Sequence, residues 1–206
     1  MMTPTAITTT ITTVPMAAAP VPTEWGVFHC HAFRDHDGVE HLAFTKGEVN
    51  TNSPVLVRVH SECLTGDVFG SRRCDCGPQL ASAMERIAHE GRGVLVYMRG
   101  HEGRGIGVAA KIGAYALQDV GYDTVDANVE LGLPVDRRSY EAAAHILHHL
   151  GVQSARLITN NPAKRDALVA GGVAVAERVA LPLHVTPENT RYLRTKRDRM
   201  GHQFEL

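Results

Sequence analysis

Three of the four cysteines fall in one short run of the chain, at Cys63, Cys74 and Cys76. If their thiolates act together, the two short segments that carry them have to converge, which constrains the fold around this run. Three thiolates fill three corners of a zinc tetrahedron and leave the fourth for water, an arrangement typical of a catalytic zinc site. The run therefore predicts a zinc hydrolase.

Other interpretations of these cysteines stay open from the residues alone. Cys30 lies between two histidines and could complete a closed structural zinc site, or the thiols could be ordinary small buried side chains. His60 and Glu62 match the first half of the zinc nucleobase deaminase pattern. The second half does not match, because one residue instead of two separates Cys74 from Cys76.

Composition narrows the class of protein. The chain has 206 residues, a formal net charge of -1 and 21% charged residues, which suits one domain with a substantial core. This charge provides no overall basic field for nucleic acid, and no segment predicts a membrane span. Four cysteines without a secretion signal indicate a reducing compartment, so we expect a cytoplasmic protein.

The first 23 residues differ in composition from the rest. They carry no charge and are rich in Thr, Ala and Pro, and they lack the basic start and the apolar core of a signal peptide. We expect a disordered N-terminal extension over residues 1–23. The rest of the chain, residues 24–206, is expected to form the catalytic domain.

Strand and helix patterns alternate from residue 25 onward. Polar turns separate the first predicted strands, at 27–33, 41–45 and 55–59, which favours an antiparallel start. Further strands are predicted at 94–98, 155–158 and 173–179, and helices at 79–89, 109–121, 138–150 and 164–170. Thr186, followed by proline, predicts the start of a last helix. This alternation predicts an α/β layered single domain with a mixed β-sheet and flanking helices.

Several motifs in one order carry a family resemblance. They are the cysteine run 60–77 and the segments RGHEGRGIG at 99–107, AYALQD at 114–119, DRR at 136–138 and TNNP at 159–162. Together they closely resemble the signature of GTP cyclohydrolase II, the enzyme that opens the guanine ring of GTP at the start of riboflavin synthesis. The resemblance covers roughly residues 25–202, and several ordered motifs are much more specific than one.

The resemblance implies a metal centre and its chemistry. It assigns one Zn²⁺ per chain to Cys63, Cys74 and Cys76 and leaves Cys30 out. A bound zinc lowers the pKa of water enough to supply hydroxide, first to open the guanine ring to a formamide and then to release formate. Tyr115 matches a family tyrosine near this chemistry, where a phenol can orient water or donate to an oxyanion. From the helix pattern alone, this tyrosine is an ordinary aromatic.

The family also releases pyrophosphate from GTP. Asp136 and Arg138 match the positions of a proposed base and of an arginine proposed to attack the α-phosphorus. Arginine is normally protonated and is a poor nucleophile. We therefore favour charge stabilisation by Arg138 and leave covalent attack open.

Substrate recognition is implied at a larger set of positions. Glu102 and Gly103 lie in a glycine-flanked loop that matches the guanine-contacting position of the family. A carboxylate there accepts charge-assisted hydrogen bonds from the ring N–H and the exocyclic amine. The remaining matched positions, most of them for the triphosphate, are Arg58, Val59, His60, Ser61, Glu62, Gln79, Arg104, Thr124, Thr159 and Lys164.

The resulting hypothesis is zinc-dependent hydrolysis of GTP to a diaminopyrimidinone ribosylamino phosphate, formate and pyrophosphate, as the first step of riboflavin biosynthesis. Mg²⁺ is expected with the nucleotide polyphosphate, no nucleic-acid or membrane partner is expected, and the resemblance implies a homodimer. Two alternatives stay open. One is a variant cyclohydrolase that stops at the formamidopyrimidine, and the other is a non-enzymatic zinc-stabilised binding module with a fourth protein ligand.

Overall fold

Helices and strands alternate along residues 13–206, the part of the chain that this computed structural model describes. The strands are β1 (Val14–Thr23), β2 (Gly26–Arg34), β3 (Glu40–Lys46), β4 (Val55–Ser61), β5 (Gly93–Met98), β6 (Ser154–Ile158) and β7 (Ala174–Val179). The α-helices are α1 (Leu64–Asp67), α2 (Cys76–Glu90), α3 (Val108–Asp119), α4 (Thr124–Glu130), α5 (Glu141–His149), α6 (Pro162–Ala170) and α7 (Thr190–Met200). A short 3₁₀ helix spans Glu102–Arg104.

The strands form one mixed sheet in the order β1-β2-β3-β5-β4-β6-β7. Three neighbouring pairs are antiparallel: β1 with β2, β2 with β3, and β3 with β5. The other three pairs are parallel: β5 with β4, β4 with β6, and β6 with β7. The predicted antiparallel start is confirmed for β2 and β3. It is wrong for β4, because α2 carries the chain across to a parallel β5 and so makes β4 part of the parallel half.

Helices cover both faces of the parallel half. Along β4, Val57 packs into a core with Ile146 of α5 and Leu168 of α6. The next residue toward the N-terminus, Leu56, packs on the opposite face with Ile87 of α2. Successive side chains of a strand point to opposite faces, so β4 is buried on both sides. The predicted layered α/β domain with a mixed sheet and flanking helices is confirmed.

The N-terminal segment departs from the sequence-based expectation. Residues 14–23 form β1, which pairs with β2 from Val14 to Thr23 with one irregularity at Met16, so the prediction of disorder is wrong from Val14 onward. The error arises because backbone pairing, rather than burial of side chains, holds this largely exposed strand. An edge strand tolerates its three prolines, Pro15, Pro20 and Pro22. Proline has no N–H, and on an edge strand its nitrogen can face away from the neighbouring strand, so no hydrogen bond of the sheet is lost. Residues 1–12 lie outside the described part of the chain.

Two helix starts lie later than predicted. The helix predicted from residue 138 begins at Glu141, because the side chain of Asp136 accepts hydrogen bonds from the backbone and side chain of Arg138 and holds this segment in a loop. The last helix begins at Thr190 rather than Thr186. Thr186 and Asn189 bond each other's backbone and form a turn before it.

The carboxyl ends of three neighbouring parallel strands define one edge of the sheet. Ser61 ends β4, Met98 ends β5 and Ile158 ends β6, and the matched family motifs follow each of these ends. Ligands of open α/β sheets bind at this edge, outside the carboxyl ends of the strands. Among residues 13–206, no helix is both long and apolar enough to cross a membrane.

Candidate active site

A cleft opens at this edge of the sheet. Its walls include most of the positions predicted from the sequence: Arg58, His60, Ser61, Glu62, Cys63, Cys74, Cys76, Gln79, Glu102, Gly103, Arg104, Tyr115, Thr124, Arg138, Thr159 and Lys164. Two predicted positions are not in its wall. The side chain of Val59 is buried in the core, and Asp136 contacts the cleft through Arg138.

The three predicted zinc ligands converge at one end of the cleft. The Sγ atoms of Cys63, Cys74 and Cys76 lie within 4.8 Å of one another, and no other Cys, His, Asp or Glu of residues 13–206 joins the group. Cys63 and Cys74 are 3.7 Å apart at sulfur. Two Zn–S bonds of about 2.3 Å at a tetrahedral angle place sulfurs about 3.8 Å apart. This donor set fits a zinc ion with one open position.

Gly66, in the short helix α1, leaves room for the thiolates. A Cβ at this position would lie 2.8 Å from the Sγ of Cys74 and 3.1 Å from that of Cys63. The first distance is too short for real contacts, so a side chain here would displace the sulfurs. The role of this glycine was not predicted from the sequence, although it lies inside the cysteine run.

A buried carboxylate anchors the segment that carries Cys63. Asp67 accepts hydrogen bonds from the backbone N–H of Cys63 at 3.0 Å and from the hydroxyl of Tyr97 at 2.8 Å. The Nε2 of His60 also lies 3.0 Å from this carboxylate. Nε2 of His60 is therefore engaged within the protein, while its Nδ1 is buried without a partner among the described residues. Burial lowers the pKa of His60.

Lys111, which sequence analysis did not single out, joins three groups at this end of the cleft. Its Nζ donates to the Sγ of Cys63 at 3.1 Å, to Oγ1 of Thr65 at 2.8 Å and to Oε1 of Glu102 at 2.6 Å. Burial alone would lower the pKa of Lys111, but Glu102 and Cys63 outweigh it and raise that pKa. The ammonium is therefore charged at neutral pH. A lone lysine inside a helical pattern provides no signal of this role.

The predicted guanine contact, Glu102, is extensively bonded within the protein. Its Oε2 accepts from the backbone N–H of Leu64 at 2.6 Å, and its Oε1 accepts from Lys111 and, at 3.1 Å, from the N–H of Gly103. A carboxylate has about four acceptor positions. Because three are in use, Glu102 can accept about one further hydrogen bond from a base.

Tyr115 lies at the thiolate end of the cleft, beside Thr65 and Lys111. Its hydroxyl is 3.4 Å from Oγ1 of Thr65, and the guanidinium of Arg73 lies over its ring at 4.9 Å. Burial raises the pKa of Tyr115. The phenol therefore stays protonated at neutral pH and remains able to donate a hydrogen bond.

Arg104 occupies an unusual position at the cationic end of the cleft. It is the only non-glycine residue with positive φ among residues 13–206, at 65°, and such a backbone conformation is costly for a residue with a Cβ. Both Nη atoms are buried and have no hydrogen-bond partner among the described residues. Burying an unpaired charge is unfavourable, so the geometry indicates a place for an anion.

Two further buried cations line the cleft. Arg58 donates to the carbonyl oxygen of Ile158 at 3.0 Å and to Oε1 of Gln79 at 2.9 Å, and its Nε has no partner among the described residues. Burial lowers the pKa of Arg58 to about 10. The Nζ of Lys164 donates to the carbonyl oxygen of Val59 at 2.9 Å. Burial, together with the charge of Arg58, lowers the pKa of Lys164.

Asp136 and Arg138 form a two-point ion pair beside these cations. Nε and Nη2 of Arg138 donate to the two carboxylate oxygens at 2.9 and 2.5 Å. Burial raises the pKa of Asp136, but the hydrogen bond and charge of Arg138 outweigh it and lower that pKa. The pair keeps the guanidinium protonated, which favours a charge clamp over a nucleophile.

Uncharged polar side chains complete the cleft wall. Oγ of Ser61 lies 3.2 Å from Nδ1 of His101. Thr159 follows β6, and its Oγ1 accepts from the N–H of Asn161 at 3.0 Å. Thr124 is the first residue of α4, a helix that the sequence pattern did not predict.

The C-terminal segment forms a wall that sequence analysis missed, through Tyr192, Lys196, Met200 and His202. Nζ of Lys196 lies 3.1 Å from a carboxylate oxygen of Asp75, which is fully buried and lies in the sequence between the clustered Cys74 and Cys76. Burial, followed by the nearby cations, lowers the pKa of His202 to about 3. The basic residues of α7 look like an ordinary solvated helix in the sequence, so the pattern contains no signal of this contact.

One solved structure shares the fold. It is a crystal structure of RibBX, a two-domain 3,4-dihydroxy-2-butanone 4-phosphate synthase from A. baumannii, which matches with a TM-score of 0.50. The match covers 82% of this chain and 41% of the other, at 23% sequence identity. At this identity the likeness concerns the architecture alone.

Sequence comparisons are more specific. The riboflavin biosynthesis protein RibBA of Salinispora arenicola is 60% identical over 192 residues, which is 93% of this chain and 46% of that protein. The chloroplastic bifunctional riboflavin biosynthesis protein RIBA 1 of Arabidopsis thaliana is 57% identical, over 92% of this chain and 35% of that protein. The chain thus spans less than half the length of these relatives. The model of the family described as GTP cyclohydrolase II matches residues 15–180, and the chain belongs to this family.

Proposed function

We propose that the chain hydrolyses GTP to a diaminopyrimidinone ribosylamino phosphate, formate and pyrophosphate, as the first step of riboflavin biosynthesis. The observation that carries the proposal is a single cleft with a three-thiolate centre at one end and, away from it, the buried and unpartnered guanidinium of Arg104. One zinc ion per chain, when bound, supplies a water of lowered pKa as the nucleophile. The same molecule of GTP then spans both ends.

The side chains of the cleft have distinct parts in this proposal. Glu102 accepts a hydrogen bond from the guanine edge, and the neutral phenol of Tyr115 donates to the oxygen that gains negative charge. Arg104 and Lys164 hold the triphosphate by charge. Arg138 stabilises the α-phosphate, with Asp136 holding its planar fork in one orientation.

A magnesium ion is proposed on the polyphosphate. Glu62 lies in the cleft wall, where its Oε2 accepts from the N–H of Gly100 at 2.7 Å. A carboxylate repels phosphate oxygens unless a cation lies between them. Mg²⁺ prefers such mixed carboxylate and phosphate oxygen ligands, so Glu62 supports its presence.

A homodimer and a cytoplasmic location are proposed as well. Three apolar side chains lie at the surface of β1 and β2: Val14, Met16 and Val27, which are 46%, 48% and 54% exposed. Exposed apolar side chains that lie close together favour association with a second copy of the chain. The three clustered thiols must stay reduced to bind a metal, which a cytoplasmic location provides.

Product analysis tests the activity. The protein is incubated with GTP, Mg²⁺ and stoichiometric Zn²⁺, and formate, pyrophosphate and the pyrimidine product are resolved by mass. We expect all three products. Accumulation of the formamidopyrimidine without formate would show the shortened reaction instead, and absence of any product with intact zinc binding would show a binding module. The lack of a fourth ligand among residues 13–206 argues against that module.

A further inference from the structure

A centre of three thiolates has a chemical weakness. Thiolates donate charge strongly, so they make zinc a milder Lewis acid than three histidines would. Hydrogen bonds to the ligating atoms adjust the donor strength of such ligands, and loss of these outer contacts commonly costs about 10- to 100-fold in affinity or activity. An N–H donor beside a sulfur would therefore offset the weakness.

Lys111 is placed to provide this donor. It lies in the first turn of α3, where its N–H donates to the carbonyl oxygen of Gly107 at 3.1 Å, and its side chain is largely buried at 11% exposure. A Cβ on Gly103 would approach the Cβ of Lys111 to 3.1 Å. Gly103 has a φ of 58° and no side chain, so the lysine stem passes beside it without a clash.

The ammonium group has no free donor. It has three N–H bonds, and three acceptors lie around it: Cys63 at 3.1 Å, Thr65 at 2.8 Å and Glu102 at 2.6 Å. Because each acceptor lies in a different direction, the bonds define the position of Nζ. One of the acceptors is a metal ligand and another is the carboxylate that faces the base.

We propose that Lys111 is a positioning residue that hydrogen-bonds the Cys63 thiolate, lowers its donation to zinc and separately holds Glu102 in place. This inference rests on the proposed function. A complex of Zn²⁺ with three thiolates has a net charge of -1, which the ammonium balances. The same ammonium holds Glu102 in the orientation that receives guanine.

A simpler role makes a different prediction. If Lys111 only holds Glu102, removing the ammonium of Lys111 should affect GTP turnover in the same way as removing the carboxylate charge of Glu102. Neither change should then alter the electronic spectrum of the metal centre. If it tunes the thiolate, its loss should change the electronic spectrum of the metal centre, whereas a change at Glu102 should not. Cobalt(II) reports this difference, because its thiolate charge-transfer band follows the energy of the sulfur donor orbitals.

The test compares Co²⁺-substituted wild type with Lys111→Met, Lys111→Arg, Glu102→Gln and, as a matched control outside the cleft, Lys46→Met. We expect Lys111→Met to bind one Co²⁺ per chain, with its charge-transfer band shifted to lower energy and kcat for GTP reduced by about 10- to 100-fold. Lys111→Arg, which keeps a cationic N–H donor, should have a band nearer to that of wild type. Glu102→Gln should raise KM and leave the band in place.

A Lys111→Met band that coincides with the wild-type band would overturn the proposal. If Lys111→Met fails to fold, a wild-type-like band in Lys111→Gln, whose shorter amide does not reach the sulfur, would overturn it equally. The wild-type product assay separates this outcome from failure of the proposed function. A wild type that does not consume GTP refutes the activity, whereas the spectral comparison still tests the contact with the thiolate.

Discussion

The two ends of the cleft differ in how completely the protein satisfies its own charges. At the thiolate end, Asp67 and Glu102 accept several hydrogen bonds each, and the ammonium of Lys111 is fully bonded. At the other end, Arg104 leaves two buried guanidinium nitrogens without partners among residues 13–206. The first end is held together by bonds within the protein. The second is electrostatically strained until an anion binds.

The largest expected effect is at the thiolate end. Cys74→Ser should lose the bound zinc and reduce turnover by at least about a thousandfold, roughly 4 kcal/mol in the barrier, because a hydroxyl is a poor replacement for a zinc-binding thiolate. Metal content per chain and the rate of formate release measure this. Cys30→Ser is the matched control, since Cys30 is outside the cluster. Loss of zinc in that control would contradict the open three-cysteine site.

Arg138 tests the chemistry at the cationic end. We expect Arg138→Ala to abolish release of both pyrophosphate and formate if attack at the phosphate comes first, whereas independent centres predict a ring-opened triphosphate. Arg138→Lys keeps the charge and should stay within about a hundredfold of wild type, roughly 3 kcal/mol, if the residue acts as a clamp. Quenched-flow product analysis follows each step. A phosphate adduct trapped on Arg138 would refute the clamp.

Arg104 shows the contrast between the two ends most directly. Arg104→Met should weaken binding of pyrophosphate by about a hundredfold, because it removes an unpartnered buried charge that lines the cleft. The same change should raise the melting temperature of the ligand-free protein, because an apolar side chain removes the free-energy cost of burying an unpaired charge. Calorimetric titration and thermal unfolding measure the two effects. The exposed Arg165→Met should change neither, and a ligand-free Arg104→Met with a lower melting temperature would argue against stored strain.

A smaller effect concerns pH. Burial, followed by the charges of Arg138 and Lys164, lowers the pKa of His101 to about 3. Burial, followed by the charge of Lys196, lowers the pKa of His202 to about 3 as well. In the unfolded chain these pKa values are about 6.5. The unfolded state therefore binds more protons below about pH 6.5, and the free energy of unfolding should decrease as the pH falls from there toward 3.

A bound polyanion should raise both histidine pKa values and reduce this loss of stability. Denaturant unfolding at pH 7 and pH 5, with and without pyrophosphate, measures the difference. His202→Gln should weaken the pH dependence, and the exposed His184→Gln should leave it unchanged. An equal loss of stability in the presence and absence of pyrophosphate would contradict a cationic pocket at this end.

The smallest expected effect is on catalysis after removal of the N-terminal strand. Deleting residues 1–23 removes β1 from the sheet edge, far from the strand ends that line the cleft, so turnover should stay within about twofold. The free energy of unfolding should decrease, because β2 loses its hydrogen-bonded neighbour. Deleting only residues 1–12 is the matched control, and urea unfolding measures both. A collapse of activity in the longer deletion would show that β1 supports the site.

Residues with a strong chemical signature were predictable from the sequence. The cysteine spacing predicted the three-thiol cluster because few arrangements use three thiols within one short run, and ordered motifs predicted that Arg104 and Tyr115 belong to the same site. Lys111 was not predictable. Its importance comes from contacts with Cys63 and Glu102, and a lysine in a helix has the same sequence pattern whether its ammonium faces solvent or a thiolate. The roles assigned to the individual cleft residues stay predictions.

By itself, the sequence determined the family, the α/β class and which three cysteines cluster, because these depend on local periodicity and on residue types at short spacing. Only the tertiary structure decided that β4 lies in the parallel half, that β1 is paired, and that α7 closes one wall of the cleft through Lys196 and Asp75. Such contacts join residues that are far apart in the chain. They arise from strand order and burial, which no local pattern of side chains encodes.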